Sequence, residues 1–87
     1  MKNKQILGAL ALDLKRVALG YHRGSFAMAY RFYQEALKRR GELNCKELKP
    51  YLNIYLKRLD YLSREKKERV AEDALLYSTI FQNAAIS

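Results

Sequence analysis

Apolar side chains recur every three or four residues along the first part of the chain, the spacing that gathers them on one side of an α-helix. The stripe is formed by Ile6, Leu7, Leu10, Leu14, Val17, Ala18 and Tyr21. This pattern predicts a first helix over about residues 2–19. Gly20 follows and is expected to cap the helix in a left-handed conformation, which glycine adopts without steric cost.

Three further segments show helical periodicity, and each opens on a residue type that favours an N-cap. Their predicted bounds and N-caps are residues 25–40 with Ser25, residues 45–62 with Asn44, and residues 64–83 with Ser63. Pro50 predicts a break in the third helix, because proline is tolerated only in a first turn. The second helix has the widest apolar arc, so we expect it to be the most buried. Short links favour antiparallel neighbours, and the sequence therefore predicts an all-α, compact four-helix up-down bundle.

Length and composition narrow the class of protein. The chain has 87 residues, which fits a single helical domain over residues 1–87. Its content of 49% apolar and 11% aromatic residues is typical of a folded protein rather than a disordered one. One cysteine, Cys45, and one histidine, His22, offer no partners for an internal disulfide or a zinc cluster. We therefore expect no metal and no cofactor.

The apolar run near the N-terminus does not have the form of a targeting or membrane segment. It spans residues 6–12, whereas a membrane-spanning helix needs about 20 apolar residues. Asp13, Lys15 and Arg16 close the run, and no small-residue cleavage site follows it. These features predict a cytoplasmic protein that has no membrane partner.

Nearly all of the formal net charge of +8 lies in the first half of the chain. Residues 1–40 hold nine Lys and Arg against two Asp and Glu, while residues 41–87 hold eight against seven. The predicted basic surface consists of Lys15, Arg16, Arg31, Lys38, Arg39 and Arg40. This asymmetry predicts an acidic partner, either nucleic acid or an acidic protein face. The alternative is that the charge serves solubility only.

The link before the second helix has the composition of an anion-binding site. It contains His22, Arg23, Gly24 and Ser25, and no acidic residue occurs in the following two turns. By contrast, Glu47 and Glu65 are expected in the first turns of the third and fourth helices. Uncompensated backbone N–H groups at a helix start attract anions. The alternative is an ordinary polar linker whose N-cap is Ser25.

Catalytic motifs are scarce, since the chain has no Gly-rich phosphate loop. Arg16 and His22 match an Arg-x(4–6)-His pattern and in this respect resemble the HEPN group of small helical ribonucleases. In that family the pair lines one helix end at a dimer cleft, so the resemblance implies a ribonuclease that uses Arg16 and His22. The match covers two residues of the chain, and Gly20 intervenes, which puts His22 beyond the predicted helix. We recognise no family from it, and the leading interpretation is non-enzymatic.

A second apolar stripe on the first helix predicts self-association. Leu12 and Leu19 are seven residues apart on the side away from the main stripe, and Gly8 lies near them. An apolar stripe of this kind needs a covering surface. The leading hypothesis is thus a small helical binding module, a homodimer through this stripe, whose basic N-terminal half contacts an acidic partner. The alternative is a structural or regulatory homo-oligomer, and the most distant hypothesis is the ribonuclease.

Overall fold

The computed structural model describes residues 2–87, which form four α-helices. They are α1 (Lys2–His22), α2 (Phe26–Glu42), α3 (Pro50–Arg58) and α4 (Lys67–Ile86). A 3₁₀ turn over Cys45–Glu47 precedes α3, and a 3₁₀ segment over Leu59–Arg64 follows it. No strand occurs in this part of the chain. The predicted all-α four-helix bundle is confirmed.

α1 packs along α2 on one side and along α4 on the other. The start of α1 lies beside the end of α4, where Lys4 Nζ donates a 2.9 Å hydrogen bond to the Ser87 carbonyl. Halfway along the pair, the Ser78 hydroxyl donates to the Ala11 carbonyl at 2.7 Å, so this buried hydroxyl has a partner. These contacts show that α1 and α4 are antiparallel.

α3 and the 3₁₀ segment complete the bundle. The buried Tyr33 hydroxyl of α2 donates to the Leu59 carbonyl at 2.6 Å and joins α2 to this layer. The largest fully buried side chains come from α1, the 3₁₀ segment and α4, and they are Phe81, Leu10, Leu14, Leu59, Leu62, Val17 and Val70. Burying such side chains supplies the main favourable free energy of folding.

The most buried helix is α1, so the expectation that α2 would be the most buried is wrong. α1 buries eight residues, whereas the buried residues of α2 are Ala29, Tyr33 and Ala36. Two of these three are alanines, because α2 faces α1 through small side chains. The large rings of Phe26 and Tyr30 lie at the surface instead. A wide apolar arc on α2 therefore includes an exposed aromatic face.

α1 continues three residues beyond its predicted end, because Gly20 is not its cap. Gly20 is a buried helical residue at the crossing with α2, where an added Cβ would lie 2.8 Å from the Ala29 backbone nitrogen. The left-handed residue is Gly24, with φ of 71°. The Ser25 N–H donates to the Gly20 carbonyl and the Gly24 N–H to the Tyr21 carbonyl, which together form a Schellman motif.

The other boundaries differ from the predictions in their capping residues. α2 passes through Gly41, and Asn44 caps the following 3₁₀ turn, accepting from the Lys46 N–H at 3.3 Å. Asn3 completes this corner, since its side-chain oxygen accepts from the Asn44 N–H at 2.9 Å. The predicted break is confirmed, because α3 begins at Pro50. The predicted end at residue 62 is wrong, because α3 ends at Arg58 and the chain continues as the 3₁₀ segment.

Ser63 does not cap a helix, and this prediction is wrong. It lies inside the 3₁₀ segment, and α4 begins three residues later than predicted, with Lys66 at its N-cap position. Ser25 does occupy the N-cap position of α2, but its hydroxyl makes no capping hydrogen bond.

No helix formed by residues 2–87 is both long enough and apolar enough to cross a membrane.

Candidate functional site: the basic α1–α2 surface

The six residues of the predicted basic surface divide into two groups. Lys15, Arg31 and Lys38 are exposed or at the surface and form no ion pair with any part of residues 2–87. Arg16, Arg39 and Arg40 each bind a carboxylate within the chain. The first three residues face the solvent and have no carboxylate partner. The three arginines of the second group form ion pairs within the chain.

Asp13 is the carboxylate that organises the seam between α1 and α2. It is only 4% exposed, and its Oδ2 atom accepts from Arg39 Nε at 3.2 Å. Arg16 Nη1 lies 3.9 Å from the other carboxylate oxygen. Burial raises the pKa of Asp13 above its ordinary value, although the hydrogen bond from Arg39 and the charges of both arginines oppose this shift. The Asp13 carboxylate is thus buried at the seam, within reach of both arginines.

Phe32 orders two of the arginines along the same seam. Its ring centroid lies 5.1 Å from the Arg16 guanidinium carbon and 5.9 Å from that of Arg31. Both distances fall within the range of cation–π attraction. Phe32 is half-buried rather than fully buried, so its ring is accessible to the guanidinium groups at the surface.

Arg40 has a structural role between α2 and α3. Its Nη2 atom lies 2.7 Å from Asp60 Oδ1, and its Nη1 atom donates to the Leu56 carbonyl at 3.0 Å. The hydrogen bond from Arg40 lowers the pKa of Asp60, which favours the charged form. The Arg40 side chain therefore mainly stabilises the packing of α2 against α3 and the 3₁₀ segment.

The four residues of the predicted anion site, His22, Arg23, Gly24 and Ser25, lie together and are all exposed. That prediction was based on a contrast between helices, in which only the second helix would lack an acidic residue in its first turn. The structure does not show this contrast. α1, α2 and α3 all lack an acidic residue in the first turn, and α4 has Glu68 there rather than the expected Glu65. Glu47 belongs to the 3₁₀ turn before α3. The start of α2 is thus not distinctive, and the anion site stays a prediction.

The sequence analysis did not identify Lys67, a cation that lies beside the start of α2. Lys67 Nζ, from the first turn of α4, lies 4.3 Å from the ring centroid of Phe26. Phe26 also packs against Tyr21, with ring centroids 5.5 Å apart. The two partners are 41 residues apart in the chain, so only the register of α2 against α4 brings them together. Local periodicity carries no signal for such a contact.

The structure separates the two residues of the proposed ribonuclease pair. His22 is the last residue of α1 rather than a residue beyond the helix, which corrects the expected position. Six residues of α-helix separate Arg16 and His22 by about 9 Å along the axis and about 120° around it. Arg16 is directed to Asp13 and Phe32, in the seam with α2. No group of three or more His, Cys, Asp or Glu able to hold a metal ion occurs among residues 2–87.

The residues predicted for self-association lie on the outer side of α1. Leu12 is 47% exposed and Leu19 is 37% exposed. Gly8 is half-buried at the seam with α4, where an added Cβ would contact the Ala85 side chain at 3.9 Å. The two leucines are therefore available to a partner, while Gly8 mainly serves the packing of α1 on α4.

Comparison with protein-family models, with curated proteins and with solved structures finds no match to this chain.

Proposed function

We propose that the protein is a non-enzymatic helical binding module whose basic α1–α2 surface binds an acidic partner, and that this partner is single-stranded nucleic acid. The observation that carries the proposal is which charged side chains of residues 1–40 face the solvent: Lys15, Arg31 and Lys38 do, whereas Asp13 does not. One of the two acids in this part, Asp13, is buried between two arginines. The outward-facing charge of α1 and α2 is therefore predominantly positive, which attracts a polyanion.

The outer face of α2 favours nucleic acid over an acidic protein. Tyr30, Gln34 and Lys38 are spaced by four residues and share one face of the helix, and Arg31 lies beside them. The Tyr30 ring is 66% exposed. Exposed aromatic rings among cations stack on unpaired bases, whereas an acidic protein surface needs only the cations.

The test is the affinity for a labelled oligothymidylate, measured by fluorescence anisotropy at low salt. Arg31→Glu combined with Lys38→Glu should weaken binding by about tenfold or more, because two phosphate contacts become repulsive. The matched control is Lys46→Glu combined with Lys57→Glu. These lysines are exposed, lie outside α1 and α2, and change the net charge by the same amount. The control should lose clearly less affinity.

A second comparison separates nucleic acid from an acidic protein. Tyr30→Ala should weaken oligothymidylate binding, since stacking contributes about 1–3 kcal/mol per base, and should leave polyglutamate binding unchanged. Equal effects of the two charge-reversal variants would support the alternative in which the charge serves solubility only. Failure of the native protein to bind any oligonucleotide would contradict the proposal.

A further inference from the structure

The outer face formed by α1 and α4 carries leucines that the rest of residues 2–87 covers only in part. Leu12 and Leu19 of α1 are joined by Leu75 of α4, which is 41% exposed. Leu12, Lys15 and Leu75 line the same shallow groove between the two helices. The apolar stripe predicted on α1 alone is therefore one side of a two-helix surface.

The two sides of this surface carry opposite charges. Lys15 of α1 and Arg23, the residue directly after α1, flank Leu19. On α4, Glu68 and Glu72 precede Leu75 at spacings that keep them on its face. All four charged residues are exposed, and none forms an ion pair with any part of residues 2–87. The face thus has a basic half on α1, an acidic half on α4, and leucines on both.

The two charged halves lie at the same height along the bundle. α1 and α4 are antiparallel, and the contacts of Ala11 with Ser78 and of Gly8 with Ala85 set their register. Counting 1.5 Å per residue from these contacts puts residues 15–23, the end of α1 and the residue after it, level with residues 68–75 of α4. A basic stretch and an acidic stretch therefore run side by side over the same part of the surface.

We propose that a second copy of the chain docks on this face about a twofold axis that runs along the groove, so that α1 of each copy packs on α4 of the other. Such a rotation preserves height along the bundle. Arg23 of one copy then lies level with Glu68 of the other, and Lys15 lies about one helical turn from Glu72, around a centre of leucines. A twofold axis across the helices would instead bring α1 onto α1 and α4 onto α4, which juxtaposes like charges. This inference rests on the self-association predicted from Leu12 and Leu19 and adds α4 and the orientation.

Charge reversal and restoration test the orientation. The molar mass of the full chain in solution, measured by light scattering over a range of concentrations, should be that of a dimer. Glu68→Lys with Glu72→Lys, and separately Lys15→Glu with Arg23→Glu, should each weaken the dimer at least about tenfold, because like charges then face each other. The chain with all four substitutions should regain it, since its α1 is acidic and its α4 basic.

A pair of leucine variants tests the apolar centre. Leu75→Glu should give a folded monomer, with an unchanged helical circular dichroism spectrum. Leu76→Glu is the matched control, because Leu76 is also exposed but is turned about 100° away from Leu75 around α4. It should remain a dimer.

The outcomes distinguish two failures. A native protein that is a monomer at every concentration contradicts self-association itself. A dimer that survives each pair of charge reversals, or that Leu76→Glu disrupts as strongly as Leu75→Glu, shows that self-association uses another face and overturns this inference.

Discussion

Gly20 offers the sharpest test of how α1 and α2 pack. A Cβ added to this residue would lie 2.8 Å from the Ala29 backbone nitrogen and 2.9 Å from its Cα and Cβ atoms. Carbon atoms in contact are normally about 3.5–4.0 Å apart, so α1 and α2 would have to separate at their crossing. The obstacle is backbone rather than the end of a flexible side chain, and local rearrangement cannot remove it.

The size of the effect of Gly20→Ala follows from two opposing contributions. Alanine in a helix interior is favoured over glycine by about 0.8–1.0 kcal/mol. Overpacking at a close contact costs about 1–3 kcal/mol, and a backbone contact belongs at the upper end of that range. The free energy of unfolding should therefore fall by about 2 kcal/mol, which lowers the melting temperature by roughly 8–16 °C in a domain of this size.

Thermal and urea unfolding followed by circular dichroism measure this change, and two other glycines provide controls. Gly41 lies inside α2 with open space around it, so Gly41→Ala should raise stability by about 0.5–1 kcal/mol. Gly24 has a positive φ, and Gly24→Ala should lower stability by about 1–2 kcal/mol. A Gly20→Ala protein as stable as the native one would refute the close crossing of α1 and α2.

Two further predictions concern the core and the buried carboxylate. Phe81 is fully buried, and Phe81→Ala should lower the free energy of unfolding by about 3–5 kcal/mol in urea titrations, whereas the exposed Phe26→Ala should cost far less; similar losses would contradict the assignment of Phe81 to the core. Burial raises the pKa of Asp13 in the folded protein above its value in the unfolded chain. Asp13 therefore contributes its full share of stability at a pH below the pKa of the unfolded chain, and this share is lost as the pH rises through the pKa of the folded protein. The stability of the native protein relative to Asp13→Asn should thus decrease as the pH rises above about 3.9, the ordinary pKa of an aspartic acid, and an increase would contradict this account of Asp13.

Local periodicity predicted the number of helices, the buried stripe of α1 and the break at Pro50, because each depends on neighbouring residues alone. It could not assign Gly20, since a cap and a close helix crossing both require glycine. Gly20 resembles a cap in the sequence, and only the approach of Ala29 reveals its role. The burial of α2 was overestimated for a related reason. An aromatic residue such as Tyr30 raises the apolar count whether it faces the core or the solvent.

The surfaces were predicted less completely than the fold, because they depend on how distant segments align. The basic surface of α1 and α2 was read from composition, but the pairing of Asp13 with Arg39, 26 residues away, was not. The contact of Lys67 with Phe26 and the level alignment of Glu68 with Arg23 depend on the register between helices. Helical periodicity specifies which face of a helix is apolar and does not specify its height against a neighbour.

The salt dependence of oligothymidylate binding tests the proposed function most directly. The logarithm of the affinity should fall linearly with the logarithm of the salt concentration between about 50 and 200 mM, with a slope of roughly −0.7 for each phosphate neutralised. Removing the outward cations with Arg31→Glu and Lys38→Glu should make that slope shallower by about 1.4, while Lys46→Glu with Lys57→Glu should leave it nearly unchanged. An affinity that does not depend on salt, or the same slope for both variants, would contradict binding through the basic α1–α2 surface.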